Sequence, residues 1–515
     1  METDALRDVP EGWISCLVGD VTLVVGGGTP DTKDSDNFSE HCHAWITPAD
    51  LSNYNSMYIG RGKRDLSETG LRTSSAKVMP VGSVLFSSRA PIGYVAIAAN
   101  SLSTNQGFKS FVCTSAVVPE YLYWYLKYAK PLAEALAAGT TFQEISGSNA
   151  ARIPLVLPPL IEQRRIASAI EALSARLDAA RASLDRVPTI LKRFRQSVLA
   201  AACSGRLTAD WREQNSPSET GEELLQRILK ERRERWVADG RRGKYVEPQP
   251  PDTSELPELP EGWVWANFGS VISELRNGIS TRPAFQPPGI RTLRISSVRS
   301  GNVSLNDVRY FPDGENLIPI YGLRKGDLLF TRYNGSLDLL GVCGMVRETG
   351  DEPLLYPDKL MRVRVGHPLL LPEFVELFFG TIEARNRITA VAKSSAGQQG
   401  VSGEDIKSQP IAIPPIAEQE QIVEMVARLM GLLDTVVSRY DVSKSYLDTI
   451  SGSILNRAFS GQLVPTEAEL AREEGRSYET ADELLARVRA ERAIDGEAKP
   501  KKRSVKTRQA TLAFE

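Results

Sequence analysis

The sequence predicts an α+β protein: two mixed α/β globular parts separated by two long antiparallel coiled-coil helices, with a pseudo-two-fold internal repeat. Three observations carry this. Sequence markers recur at a fixed offset, heptad-spaced apolar residues fill the stretch between them, and short β-rich runs bounded by glycine and proline occupy the rest.

The repeat is the most specific of the three. Leu157-Pro-Pro-Leu-Ile-Glu162-Gln163 returns 256 residues later as Ile413-Pro-Pro-Ile-Ala-Glu418-Gln419. The same offset carries Ser204-Gly-Arg-Leu207 onto Ser460-Gly-Gln-Leu463, and Ile145-Ser-Gly147 onto Val401-Ser-Gly403. With slightly different offsets, Pro10-Glu-Gly-Trp13 matches Pro260-Glu-Gly-Trp263, and Gly82-Ser-Val-Leu-Phe86 resembles Gly326-Asp-Leu-Leu-Phe330. The ends of each half are held to length while the interior has diverged.

Between the markers, Ile166, Ile170, Leu173, Leu177, Ala180, Leu184, Val187, Leu191, Phe194 and Val198 alternate by four and three. Ile422, Val426, Leu429, Leu433, Val436, Tyr440, Ser443, Leu447, Ile450 and Ile454 do the same in the second copy. This is the seam of a coiled coil, and about 43 residues make a rod of roughly 65 Å. Two such rods in one chain are expected to pair with each other, antiparallel, with a kink at Pro188. A generic helical hairpin would show the same seam; the equal length of the copies argues for a spacer.

The globular parts carry β-rich runs at Val84–Phe86, Tyr94–Ile97, Leu328–Phe330 and Leu360–Val365. Each is expected to close with a helix, from Pro119 to about Ala138 and from Pro372 to about Val391. A charged amphipathic helix is expected over 219–239, and Glu479–Leu485 resembles Glu219–Leu225. The division this implies is 1–155 (first globular part), 156–207 (first rod), 208–260 (charged helix and proline-rich linker), 261–411 (second globular part), 412–463 (second rod) and 464–515 (C-terminal helix and basic tail). The tail, Lys499 to Arg508, is expected to be disordered.

Composition describes a folded protein of several domains, with 515 residues, 42% hydrophobic and 24% charged. The formal charge of -2 says little about partners, since a balanced total can hide a basic face. Five unpaired-looking cysteines, no long apolar run and no basic-apolar leader point to a cytoplasmic protein without a membrane span.

Chemical motifs are sparse. Val25-Gly-Gly-Gly-Thr29 lacks the lysine of a phosphate-binding loop and reads as a strand-ending turn. No Asn/Asp-Pro-Pro-aromatic tetrapeptide of an adenine methyltransferase occurs. His41-Cys42-His43 falls short of the four ligands of a zinc site and reads as a surface loop, so no metal is expected. Cys343 and Ser336 lack a predictable base, and Pro357-Asp358-Lys359 lacks the rest of a nuclease motif. No catalytic residue is assigned.

Nucleic-acid contacts are better supported. Arg276, Arg282, Arg291, Arg294, Arg299 and Arg309 fall in one stretch with few acids, as guanine or phosphate contacts require; a solvated surface is the plainer alternative. Arg61-Gly-Lys63-Arg64 is a short basic loop. Phe86-Ser-Ser-Arg89 and Phe330-Thr-Arg332-Tyr333-Asn334 both leave a buried strand carrying an arginine, in matching places of the two halves.

Taken together, the duplicated Pro-Glu-Gly-Trp, Pro-Pro-x-x-Glu-Gln and Ser-Gly-x-Leu markers, joined by heptad helices, resemble the specificity (S) subunits of type I restriction-modification systems over nearly the whole chain. The resemblance implies that the globular parts are target recognition domains and that the helices space them and dock partners. It also implies an asymmetric, bipartite double-stranded DNA target. It places Arg89, Arg332, Asn105, Gln106, Asp358 and Lys359 near the strand core of each globular part, either touching DNA or supporting the loops that do. The DNA-binding set expected is thus Arg61, Lys63, Arg64, Arg89, Asn105, Gln106, Arg282, Arg291, Arg294, Arg299, Arg332, Tyr333, Asn334 and Lys359.

The same resemblance implies two methyltransferase (M) subunits acting on adenine N6 with S-adenosylmethionine. It further implies restriction (R) motor-nuclease subunits using ATP and magnesium, and no cofactor in this chain. Two rival readings are an adaptor that binds no DNA, which predicts no salt-dependent affinity, and a catalytic subunit, against which the missing motifs speak.

Overall fold

The computed structural model describes residues 9–138, 143–240, 243–312, 314–366, 369–395 and 398–497, so the basic tail lies outside the described residues. It forms two compact units, one of Met1–Leu184 with Val442–Glu515 and one of Asp185–Asp441. Each unit therefore holds one globular part, the start of its own half's rod and the end of the other half's rod.

In the first unit a five-stranded sheet runs Thr22–Gly26, Lys109–Cys113, Val84–Ser88, Ile92–Ala98 and Tyr58–Ile59. All its pairs are antiparallel except the last. The second unit repeats the order with Ile272–Asn277, Leu360–Val365, Leu328–Thr331 and Cys343–Met345. Val84–Ser88 and Leu328–Thr331 are buried throughout: each opens on an apolar run, as a covered strand should, and ends in buried hydroxyl residues, Ser87, Ser88 and Thr331. The four sequence-expected β-runs all fall within these strands. A smaller three-stranded sheet stands beside each, Arg64–Leu66, Phe38–Ile46 and Ser103–Thr104 in the first unit, and Val308–Phe311, Ile290–Leu293 and Leu354–Leu355 in the second.

The repeat markers prove to be the fastening of each unit. Strand Ile14–Leu17 pairs antiparallel with Pro154–Leu157, and Val264–Asn267 with Pro410–Ile413. The tryptophan opening each half then donates from its indole N–H to the buried glutamate of the rod: Trp13 to Glu162 at 2.9 Å and Trp263 to Glu418 at 2.8 Å. The neighbouring glutamine accepts from the residue before the closing helix, Val118 to Gln163 at 2.9 Å and Leu371 to Gln419 at 3.0 Å. Burial pushes the Glu162 carboxyl above its usual range, although the N–H groups of Glu467 and Trp13 favour the charged form.

The Ser-Gly-x-Leu glycines complete the fastening. Gly205 and Gly461 sit at φ +72° and +74°, where an L side chain is strained, and a Cβ there would strike Pro260 at 2.5 Å or Pro10 at 2.3 Å. The Ser-Gly pair at Ser146 and Ser402 is an N-cap: each hydroxyl accepts from the backbone N–H three residues on, at 3.1 Å in both units.

Several sequence expectations are corrected. The first rod is two helices, Leu160–Leu184 and Val187–Cys203, whereas the second, Ile416–Phe459, is continuous over 44 residues. The cause is Pro188, which lacks an N–H and whose ring clashes with the carbonyl four residues back, at Leu184. Within the first unit the rods are antiparallel: Arg165 meets Glu467 at 2.5 Å while Arg181 meets Asp448 at 3.2 Å. Phe194, Val436 and Ile450 of the predicted seams are exposed, and Val437 rather than Val436 is half-buried, because a helix drifts against a strict heptad.

The closing helices are also divided, into Pro119–Tyr128 and Lys130–Ala135, and into Pro372–Phe379 and Ile382–Ala390. The charged helix spans Gly221–Ala238 behind a Thr220/Glu223 capping box. Its counterpart, Ala481–Glu497, buries Leu484, Leu485 and Val488 as the first buries Leu224, Leu225 and Ile228.

Candidate nucleic-acid interface

The fourteen residues named from sequence fall into four clusters, and most of their cations are already engaged. In the first, Arg61, Lys63 and Arg64 line one groove with Phe38, Glu40 and His41. Strand Arg64–Leu66 carries Arg64, whose guanidinium lies over the Phe38 ring at 4.1 Å, while Arg61 pairs with the buried Asp65. Lys63 is exposed, and its backbone N–H donates to Asp50 at 3.0 Å. Nearby, Cys42, His43 and Glu68 place three donor atoms within 4.8 Å of one another, and His43 meets Glu68 at 2.8 Å. These remain one short of a four-ligand zinc set.

The second cluster is the loop leaving strand Val84–Ser88. Arg89 pairs with Glu144 at 3.4 Å, and Lys109, which the sequence reading missed, reaches the same carboxylate at 3.4 Å. Asn105 spends its amide oxygen on the N–H of Gly107 at 2.9 Å, shaping the turn that exposes Gln106.

The third follows strand Ile290–Leu293. Arg294 pairs with Asp307 at 2.8 Å, and the Ser296 hydroxyl together with Arg294 holds the Asp307 carboxyl below the usual range. Arg291 donates to the Leu305 carbonyl at 2.8 Å, and Arg299 to the Val298 carbonyl at 2.9 Å. Arg282 and Arg309 both lie over Phe285, at 5.9 Å and 3.9 Å. Arg276, by contrast, pairs with Glu274, a carboxylate that also holds the buried Arg362.

The fourth cluster gathers Arg332, Tyr333, Asn334 and Lys359. Arg332 takes its backbone acceptor from Lys359 at 2.8 Å and stacks over Tyr333 at 4.7 Å, its Nε buried without a partner among the described residues. Asn334 accepts from the N–H of Ser336 at 3.1 Å, and Lys359 is exposed. A three-stranded sheet of Tyr333–Asn334, Gln398–Gly400 and Lys393–Ser395 extends this loop.

The expected equivalence of Arg89 and Arg332 is one residue out. Ser88 donates its N–H to the Gly107 carbonyl and its own carbonyl accepts from Ile145, while Arg332 donates its N–H to the Lys359 carbonyl and its own carbonyl accepts from Val401, so Arg332 stands where Ser88 does and Tyr333 where Arg89 does. Backbone bonding sets this register, and residue type does not report it.

Burial pushes the Cys343 thiol well above its usual range, and Cys203 likewise, which makes both inert. Among the described residues no helix is long and apolar enough to cross a membrane.

With this geometry in place, comparison with known proteins is direct. Residues 10–187 match the family described as type I restriction modification DNA specificity domain. A specificity subunit of the type I restriction enzyme EcoKI of Escherichia coli K12 is 32% identical over 503 residues, spanning 95% of this chain and 97% of its own. The chain belongs to the type I restriction enzyme specificity subunits. The StySPI specificity subunit of Salmonella potsdam is 26% identical across the same shares of both chains, 95% and 97%. A solved structure of the HsdS subunit from Thermoanaerobacter tengcongensis shares the fold, with a TM-score of 0.56 at 16% identity over 88% of this chain and 98% of that one. The chain is therefore a sequence-specific DNA-recognising component of a restriction-modification assembly, working with other subunits.

Proposed function

We propose that each unit reads one half-site of an asymmetric bipartite target, the first through Arg61, Lys63, Arg64, Arg89 and Gln106, the second through Arg282, Arg291, Arg294, Arg299, Arg332, Tyr333 and Lys359. Asn105 and Asn334 shape the loops through their amide oxygens and leave their NH₂ groups to donate. The observation that carries this is the pair of sheets with one strand order but unlike loops: a common frame presenting different side chains. Cations position the backbone and amides or guanidinium groups read base edges. The ion pairs at Glu144, Asp65 and Asp307 hold the cations ordered until phosphate displaces the carboxylate.

The rods serve as spacers and as docking struts for two methyltransferase subunits. Exposed Val442, Tyr446 and Ile450 recur every four residues on one helix face of the first unit, and Ile190 and Phe194 do so in the second. The partners supply adenine-N6 methylation with S-adenosylmethionine and, through restriction subunits, ATP- and magnesium-dependent cleavage in the cytoplasm; this chain binds no cofactor of its own. Methylation inside a duplex requires the adenine to be flipped out.

Methylome sequencing of a host with and without this chain, its partners present throughout, tests the reading. One two-part motif with unlike halves, present only with the chain, supports it. Unchanged adenine methylation would overturn it in favour of an adaptor.

A further inference from the structure

Two glutamines occupy one position in the two halves. Gln143-Glu-Ile-Ser-Gly147 and Gln399-Gly-Val-Ser-Gly403 lie 256 residues apart, in register with the rod markers. The structure holds both stretches in the same way. Ile145 N–H donates to the Ser88 carbonyl at 3.0 Å, and Val401 N–H to the Arg332 carbonyl at 3.0 Å. Glu144 bridges to Arg89, and Gly400 pairs with Tyr333 and Lys393. Each glutamine thus immediately precedes a residue fastened to the loop that leaves the buried strand.

The surroundings are cationic in both units. Arg89 and Lys109 converge on Glu144, while Arg332 and the exposed Lys393 flank Gly400. Gln143 is exposed and Gln399 half-buried, and neither amide has a hydrogen-bond partner among the described residues. This sets them apart from Asn105 and Asn334, whose oxygens are committed to turns.

The rest of the candidate interface diverges between the halves. The Arg61–Arg64 groove and the Arg291–Arg299 stretch have no sequence counterpart in each other, yet the glutamine recurs. A residue reading a base peculiar to one half-site has no reason to recur where the other half-site differs. A recurring residue serves what the half-sites share. On the functional reading above, on which this inference rests, the base that both must contain is the adenine to be methylated.

We infer that Gln143 and Gln399 are a matched pair of contacts to that adenine, one per half-site, made in the major groove before the base leaves the stack. A neutral amide offers one acceptor and two donors in a plane, the complement of adenine N6–H and N7. Phosphate, the other shared feature of any two half-sites, is met by the neighbouring lysines and arginines.

The test uses the full chain assembled with its partner subunits. Methylomes are read for the unsubstituted chain, Gln143→Ala and Gln399→Ala, and each purified complex is titrated with the motif duplex. The same duplex with 7-deazaadenine at one or the other methylated adenine removes only the N7 acceptor. Each substitution should leave the motif letters unchanged and weaken binding about tenfold. Each should also abolish the 7-deazaadenine penalty at one half-site only. Altered motif letters, unchanged affinity, or a penalty that persists in both variants would overturn the inference. A host in which the unsubstituted chain yields no motif overturns the functional reading itself, and is recognisable because no substitution is involved. Thermal midpoints of both variants should match the parent, as expected for side chains without internal partners.

Discussion

Trp263 donates its indole N–H to Glu418 at 2.8 Å, joining the first turn of the second half to the base of its rod. The same carboxylate accepts from the Thr208 hydroxyl at 2.6 Å and from Arg212 at 3.0 Å. Glu418 is fully buried, so removing it strands three donors. Glu418→Ala should destabilise the second unit by about 3–5 kcal/mol, the cost of leaving a buried charged partner alone. Urea unfolding followed by tryptophan fluorescence measures this, and Glu418→Gln should lose less. A shift below about 1 kcal/mol for Glu418→Ala would contradict the role.

Glu144 pairs with both Arg89 and Lys109 at 3.4 Å, so on the proposed reading it competes with DNA phosphate for them. Glu144→Gln should release both cations, raise non-specific affinity and steepen the slope of log K against log salt by about one. Fluorescence anisotropy of a labelled duplex across a salt series gives the slope. An unchanged slope would show that these cations do not face phosphate.

The second unit should weaken in acid through Glu274. Burial opposes its ionisation, but Arg276 and Arg362 outweigh that and hold its carboxyl below the usual range. A carboxyl lowered on folding contributes stability that is present above its unfolded value and lost as pH falls through its folded value. Urea midpoints should therefore decline below about pH 4.3, and Glu274→Gln should flatten that decline while lowering stability at neutral pH. A decline equally steep in the variant would place the acid sensitivity elsewhere.

The rods should set the spacer between half-sites. One heptad added to both rods lengthens each by about 10 Å. The methylome motif should then show a longer spacer with both half-site sequences intact. An unaltered spacer would separate the rods from target geometry.

Much of the fold was legible because its fastening is written in side chains. Trp13, Glu162 and Gln163 must recur as Trp263, Glu418 and Gln419, since each makes bonds no other residue type makes in that place. The division of the closing helices at Ala129 and Gly380 was marked as well, by Pro131 in the first turn of Lys130–Ala135 and by Gly380 followed by the Thr381 N-cap, signals outweighed by the apolar spacing that runs on through both breaks. Pro188 announced a kink, but the helix ends four residues earlier, where the carbonyl it clashes with lies. The candidate interface was legible only as composition. Clustered arginines were visible in sequence, whereas the carboxylates that hold them, Asp65, Glu144 and Asp307, lie 4 to 55 residues away. Gln143 and Gln399 were hidden inside a marker read only from its Ile/Val-Ser-Gly end.

The account stands on two independent readers within one chain. Replacing residues 261–411 by the aligned segment of the Salmonella potsdam relative, then sequencing the host methylome, tests this most directly. The account predicts that one half of the motif changes and the other half keeps every letter. A motif altered in both halves, or in neither, would contradict it.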